Sequence, residues 1–204
     1  MIGILRIKYK TVIPLIYLLI VLCIFYTFLI SGRLFDHANP IFLLIQLTVI
    51  PVSSFISIYT FNDLFGTKNS LFLFTYYKGK TLSIFKINLL LFMLPSIFIC
   101  FILNVQYEDF NGIAAIFLLL SQLLLVSNLA FLIFNVTSDF SLTITLFALY
   151  ISVEVFTLGN FEKIYHLFYL NLYEPINLDN TLSISILNSI MGIFVHRIHK
   201  MFLS

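Results

Sequence analysis

The residues of this sequence that could do chemistry are few and lie in apolar surroundings. Glu154, in YISVEVFTLG, is the one carboxylate that falls clearly within a long apolar run. Carboxylates in a membrane are costly, and they commonly mark substrate paths, gates or proton relays. Gly159 follows only about 7.5 Å further along a helix, so Glu154 can also reach the membrane interface. We favour a structural role for Glu154 and keep substrate or gating work as the alternative.

Candidate metal ligands and catalytic motifs give little further support for an enzyme. His196 and His199 are three residues apart, but no cysteine or carboxylate stands beside them, so solvent or headgroup contact is favoured over metal binding. Cys23 and Cys100 lie within apolar runs, as small buried hydrophobic residues do. The sequence contains no Walker A, H-E-x-x-H, G-x-S-x-G or C-x-x-C pattern. We therefore predict no catalytic site, no metal and no cofactor in this chain.

A row of polar residues marks one predicted helix face. Ser121, Asn128 and Asn135 follow each other at seven-residue steps, which places them on the same side of a helix. Such a row either forms a hydrogen-bonded seam between helices or lines a substrate path. We favour the seam and retain the path as the alternative.

The composition indicates that the chain folds in a lipid membrane. Of the 204 residues, 61% are hydrophobic and 10% are charged, and the mean hydropathy is +1.07. A soluble domain of this size cannot bury so much apolar surface. The chain is predicted to be an integral membrane protein, with no indication of nucleic-acid binding.

Six apolar runs are long enough, or nearly so, to cross a hydrocarbon core of about 30 Å as helices. They form one transmembrane domain over residues 1–204, and the two shortest are expected to extend into flanking residues. Pro51 and Pro95 predict mild kinks in the second and third spans. The predicted spans are 11–31, 41–61, 87–104, 113–135, 140–158 and 181–196.

The distribution of positive charge predicts the orientation. With the N-terminus inside, nine lysines and arginines lie in inner segments, and only Arg33 and Lys163 lie in outer ones. Cytoplasmic segments carry the excess of positive charge in membrane proteins. Both termini are therefore predicted to be cytoplasmic.

The loop between the second and third spans, residues 62–86, combines four lysines with a cluster of large apolar side chains. An inner loop of this kind suits a protein contact or a helix lying in the membrane interface. It resembles the first cytoplasmic loop of ABC transporter permeases of the type-two exporter family, although the family's turn proline is absent. The matching residues are Asp63, Gly66, Thr67, Leu71, Phe74, Tyr77, Lys80 and Lys86.

The resemblance implies a coupling helix in this loop that docks on a cytoplasmic ATPase. It further implies two ATPase subunits that bind ATP and Mg, a second permease subunit, membrane lipid as surroundings and a bacterial plasma membrane as location. The family also has a short re-entrant element between its last two spans. Residues 160–180 are aromatic enough to lie in the outer interface in that manner, and their helical spacing includes Tyr165 and Phe168.

The function implied by the resemblance is ATP-driven export of an amphipathic cargo, such as a peptide, a lipid-like molecule or a drug. Glu154, Asn128, Tyr165 and Phe168 are the candidate residues of its path or gate. The alternative from another class is a non-ATP immunity or adaptor protein that binds a peptide or a sensor protein. A proton-linked transporter that uses Glu154 is a third hypothesis.

Overall fold

A computed structural model of the chain describes residues 2–65, 81–137, 139–157, 167–169 and 176–203. These residues form six α-helices and no strand. The helices are α1 (Ile2–Ser31), α2 (Ala38–Phe65), α3 (Thr81–Gln106), α4 (Gly112–Thr137), α5 (Phe140–Thr157) and α6 (Leu178–Leu203).

Five of the helices contain a stretch that is long and apolar enough to cross a membrane, and α1 contributes the shorter apolar stretch Tyr17–Ser31. The predicted all-helical, multi-pass membrane protein is therefore confirmed. The third and sixth helices extend beyond their apolar runs, as expected. Pro51 and Pro95 both lie inside helices, and the kinks there stay predictions.

The helices run alternately up and down. We call the end at which α1, α3 and α5 terminate the distal end, and the opposite end the proximal end. At the distal end, Tyr107 donates a hydrogen bond to the carbonyl of Phe35 at 3.0 Å. At the proximal end, the ring of Phe140 packs on Phe55 and Tyr59. The charge rule predicts that the proximal end is cytoplasmic.

Short connections close the distal end. Asn104 at the end of α3 accepts a hydrogen bond from Gly112 N at 2.7 Å and so caps the start of α4. His37 and Asp109 approach to 3.3 Å across two turns. Burial raises the pKa of Tyr107 above its ordinary value, an effect that Arg33 opposes. The Tyr107 hydroxyl therefore keeps its proton and its bond to the α1–α2 turn.

Helix α4 is the centre of the bundle. It contacts α2, α3, α5 and α6, and 61% of its span is buried, against 17% for α5. Polar and small residues that an isolated membrane helix could not shield are therefore buried along α4. The same helix carries the row Ser121, Asn128 and Asn135.

Helices α4 and α6 approach each other closely at Gly192. Gly192 of α6 faces Leu124 and Leu125, and a Cβ at that position would lie 3.1–3.2 Å from their atoms. One turn further along, Asn128 Oδ1 lies 3.2 Å from His196 Nδ1. Glycine at such a crossing lets the two backbones approach. Asn128 thus contacts α6 across this seam, and the choice between a seam and a substrate path stays a prediction.

Candidate functional site

A short non-helical segment enters the bundle between α5 and α6. Its three residues, Leu167, Phe168 and Tyr169, are only 2%, 2% and 8% exposed. Main-chain N–H and C=O groups inside a membrane protein need partners, because lipid supplies none. Outside a helix, those partners must come from other parts of the chain. They are provided by three buried side chains, Gln46, Gln122 and Glu154, which we call the cradle.

Gln46 of α2 binds both main-chain groups of Tyr169. Tyr169 N donates to Gln46 Oε1 at 3.0 Å, and Gln46 Nε2 donates to the Tyr169 carbonyl oxygen at 3.2 Å. The side-chain amide thus takes the place that a neighbouring peptide group has in a β-ladder. Gln46 is fully buried, so these bonds form without competition from water.

Gln122 of α4 joins Gln46 to Leu167. Its Nε2 donates to Gln46 Oε1 at 2.9 Å and to the Leu167 carbonyl oxygen at 2.7 Å. Both amide hydrogens are used, and both acceptors are buried. Gln122 is itself fully buried at the centre of the bundle.

Glu154 of α5 completes the cradle. Its Oε1 accepts hydrogen bonds from Leu167 N at 2.9 Å and from the Tyr150 hydroxyl at 2.6 Å, one helical turn earlier. Glu154 is 2% exposed. It therefore faces the 160–180 region and not lipid, in agreement with the energetic expectation for an acid in a span.

Helix α5 places Glu154 next to the segment. Glu154 is three residues before Thr157, the last residue of α5 within the described part of the chain. Its hydrogen bond with Leu167 N holds residues 167–169 against this turn of the helix.

The structure describes only part of the predicted element at 160–180. Residues 167–169 are not helical, and they are buried within the main hydrophobic cluster. The short outer interfacial element over 160–180 stays a prediction. The rest of the predicted element before Ile176, including Tyr165, lies outside the described residues.

The predicted coupling residues are only partly within the described chain. Asp63 lies in α2 and Lys86 in α3, so the helices continue into what was assigned to the loop. The other six, Gly66, Thr67, Leu71, Phe74, Tyr77 and Lys80, lie outside the described residues, as does the predicted coupling helix.

The structure brings together residues that the sequence separates widely. Glu154 binds Leu167, the neighbour of Phe168, whereas Asn128 lies between α4 and α6. Gln46 and Gln122 were missed as site residues. Their signal is that both stand within apolar runs, IFLLIQLTVI and LLLSQLLLV, where an uncharged amide needs a partner.

The cradle holds oxygen and nitrogen groups but shows no catalytic arrangement. Among the described residues, no three His, Cys, Asp or Glu side chains cluster as metal ligands would. What the cradle can do is bind peptide main chain in a dry interior. No protein-family model matches the sequence, and comparisons with curated proteins and with solved structures found no match.

Proposed function

We propose that this chain is the membrane-spanning subunit of an ATP-driven exporter of the ABC type in a bacterial plasma membrane. Two cytoplasmic ATPase subunits, which bind ATP and Mg, and a second permease subunit complete the transporter. The cargo is an amphipathic molecule, for which a peptide, a lipid-like molecule and a drug are the candidate classes.

One observation carries the proposal further than the sequence does. Helix α2 continues through Asp63 to Phe65, and α3 starts at Thr81, before Lys86. Residues 66–80 are thus connected at both ends to continuous helices that reach the centre of the bundle. Both helices contact α4 and each other. A force applied to the loop at 66–80 would be transmitted by two packed helices.

The mechanism needs no covalent chemistry in this chain. ATP binding would close the ATPase subunits and displace the loop at 66–80. Because α2 carries both the loop and Gln46, its displacement would act on the hydrogen bonds between Gln46 and Tyr169. The cradle is therefore the place where movement of the cytoplasmic loop would reach the membrane interior.

Co-purification with the ATPase tests the proposal. Changing Leu71 and Phe74 to Asp should release the ATPase from the solubilised complex, because the apolar docking surface would be lost. Leu34→Asp at the exposed distal turn is the control, since Leu34 is 59% exposed and lies at the other end. Retention of the ATPase by the double variant, or its absence from the parent complex, would contradict the proposal.

A further inference from the structure

The cradle binds atoms that every peptide contains. The N–H and C=O groups of Leu167 and Tyr169 each meet a polar atom of Gln46, Gln122 or Glu154, at 2.7–3.2 Å. These are main-chain groups of alternate residues, the spacing at which a non-helical chain presents its polar groups on one side. Recognition through main-chain hydrogen bonds depends little on side-chain identity.

One acceptor atom of the cradle makes no hydrogen bond to the segment. Gln122 Oε1 is buried and has no hydrogen-bond partner among the described residues. The orientation of this amide is well defined, because Gln122 Nε2 donates to two oxygens, and exchanging the amide atoms would set oxygen against oxygen. Since buried acceptors are normally paired, the cradle has capacity for one more donor, such as a further peptide N–H.

The surroundings of the cradle accept large apolar side chains. Leu167, Phe168 and Tyr169 belong to the main hydrophobic cluster, which also includes Ile45 of α2 and Leu118 of α4. A ligand in the place of this segment would therefore carry aliphatic or aromatic side chains. It would also need free N–H and C=O groups to replace the four main-chain partners.

We infer that the cradle is a binding site for the main chain of a non-helical, apolar peptide, and that residues 167–169 occupy it as an internal ligand. The inference rests on the proposed function, for which it selects a hydrophobic peptide as the cargo class. Exchange of the segment for a cargo peptide gives each cradle group an equivalent hydrogen bond, so no cradle group is left unpaired.

Displacement of the segment can be measured at Phe168. The chain carries Phe168→Cys with Cys23→Ala and Cys100→Ala, in lipid nanodiscs, and a membrane-permeant maleimide reports exposure of position 168. The probe is acetyl-Leu-Phe-Tyr-amide, the sequence of residues 167–169. Its control is the same peptide methylated at the Leu and Tyr nitrogens, which removes the donors to Glu154 and Gln46.

We expect the probe to raise the labelling rate at least tenfold and the methylated peptide to raise it less than twofold. An unchanged rate, or equal acceleration by both peptides, would overturn the inference.

Because Phe168→Cys removes a buried ring, a second measurement uses the otherwise unchanged chain. A diazirine-leucine version of the probe should crosslink to segments that contain Gln46, Gln122 or Glu154, and excess probe should compete. Crosslinks elsewhere only, or without competition, also overturn the inference.

These assays contain no ATPase and so separate the two proposals. Peptide binding by a chain that never co-purifies with an ATPase would reject the exporter and keep the cradle as a peptide site. A chain that holds its ATPase but gives no specific crosslink would reject the cradle inference alone.

Discussion

Gln46 and Tyr169, 123 residues apart in sequence, form two hydrogen bonds through one side-chain amide and one main-chain unit. Tyr169 N donates to Gln46 Oε1, and Gln46 Nε2 donates to the Tyr169 carbonyl. A residue of α2 thereby fixes a non-helical segment that follows α5. The relationship ties the helix next to the predicted ATPase loop to the interior of the bundle.

Removal of this amide should destabilise the bundle. Gln46→Leu keeps the approximate volume but leaves the N–H and C=O of Tyr169 buried without Gln46, at a cost of about 1–3 kcal/mol per group. Measured bonds in membranes average about 0.6 kcal/mol, so we expect a total loss of about 2 kcal/mol in the free energy of unfolding. Thermal unfolding in detergent checks the direction, and denaturant titration gives the size.

Gln106→Leu is the matched control. Gln106 is partly buried at the end of α3, outside the cradle. Its replacement should change stability by no more than about 0.5 kcal/mol. Equal effects of the two Gln→Leu changes would show that the Gln46–Tyr169 bonds contribute nothing specific.

The sequence predicts the six helices because about 20 apolar residues are what a membrane crossing requires. It also predicts that Glu154 avoids lipid, because the cost of exposing an acid to hydrocarbon is a local property of one residue. The partners of Glu154 were not predicted. Gln46, Gln122 and Leu167 come together only through the packing of α2 and α5 around α4, and no local periodicity specifies that arrangement.

The α4–α6 seam predicts a size limit at Gly192. Its Cβ position lies 3.2 Å from the main-chain nitrogen of Leu125, which cannot turn away as a side chain can. Gly192→Ala gains about 1 kcal/mol of helix propensity and loses a similar amount to crowding, so we expect it to be nearly neutral. Gly192→Leu should separate the helices and cost about 2–3 kcal/mol.

The exposed face of the same helix supplies the control for this test. Ser183→Leu adds the same side chain at a position that is open to lipid and should be nearly silent. Thermal unfolding of the three variants provides the comparison. If Gly192→Leu unfolds at the parent temperature, the close approach of α4 and α6 is not needed for stability.

The orientation of the bundle can be tested at two turns. The charge distribution predicts that Asp36, in the turn after α1, is outside, and that Asp139, at the start of α5, is inside. In a chain with Cys23 and Cys100 replaced by Ala, Asp36→Cys should react with an impermeant maleimide added to intact cells. Asp139→Cys should react only after permeabilisation. The reverse pattern would place the predicted ATPase loop outside and exclude the proposed docking.

Two substitutions of Glu154 distinguish a structural residue from a gate. Glu154→Gln retains a side-chain oxygen that can accept from Leu167 N and from the Tyr150 hydroxyl, whereas Glu154→Leu removes the acceptor of both donors and leaves Leu167 N buried without it. We expect the structural outcome. Glu154→Gln should leave the amount of assembled protein nearly unchanged, and Glu154→Leu should lower it severalfold. Tyr150→Phe removes only one donor and should have the smaller effect.

The measurements are the yield of folded protein and, at matched yield, cargo-stimulated ATPase activity of the complex. A Gln variant that assembles normally but loses this stimulation would assign Glu154 to gating or cargo binding, because the shape and one acceptor oxygen are retained. Normal assembly and normal activity of the Leu variant would show that neither the structural bond nor the carboxylate matters at this position.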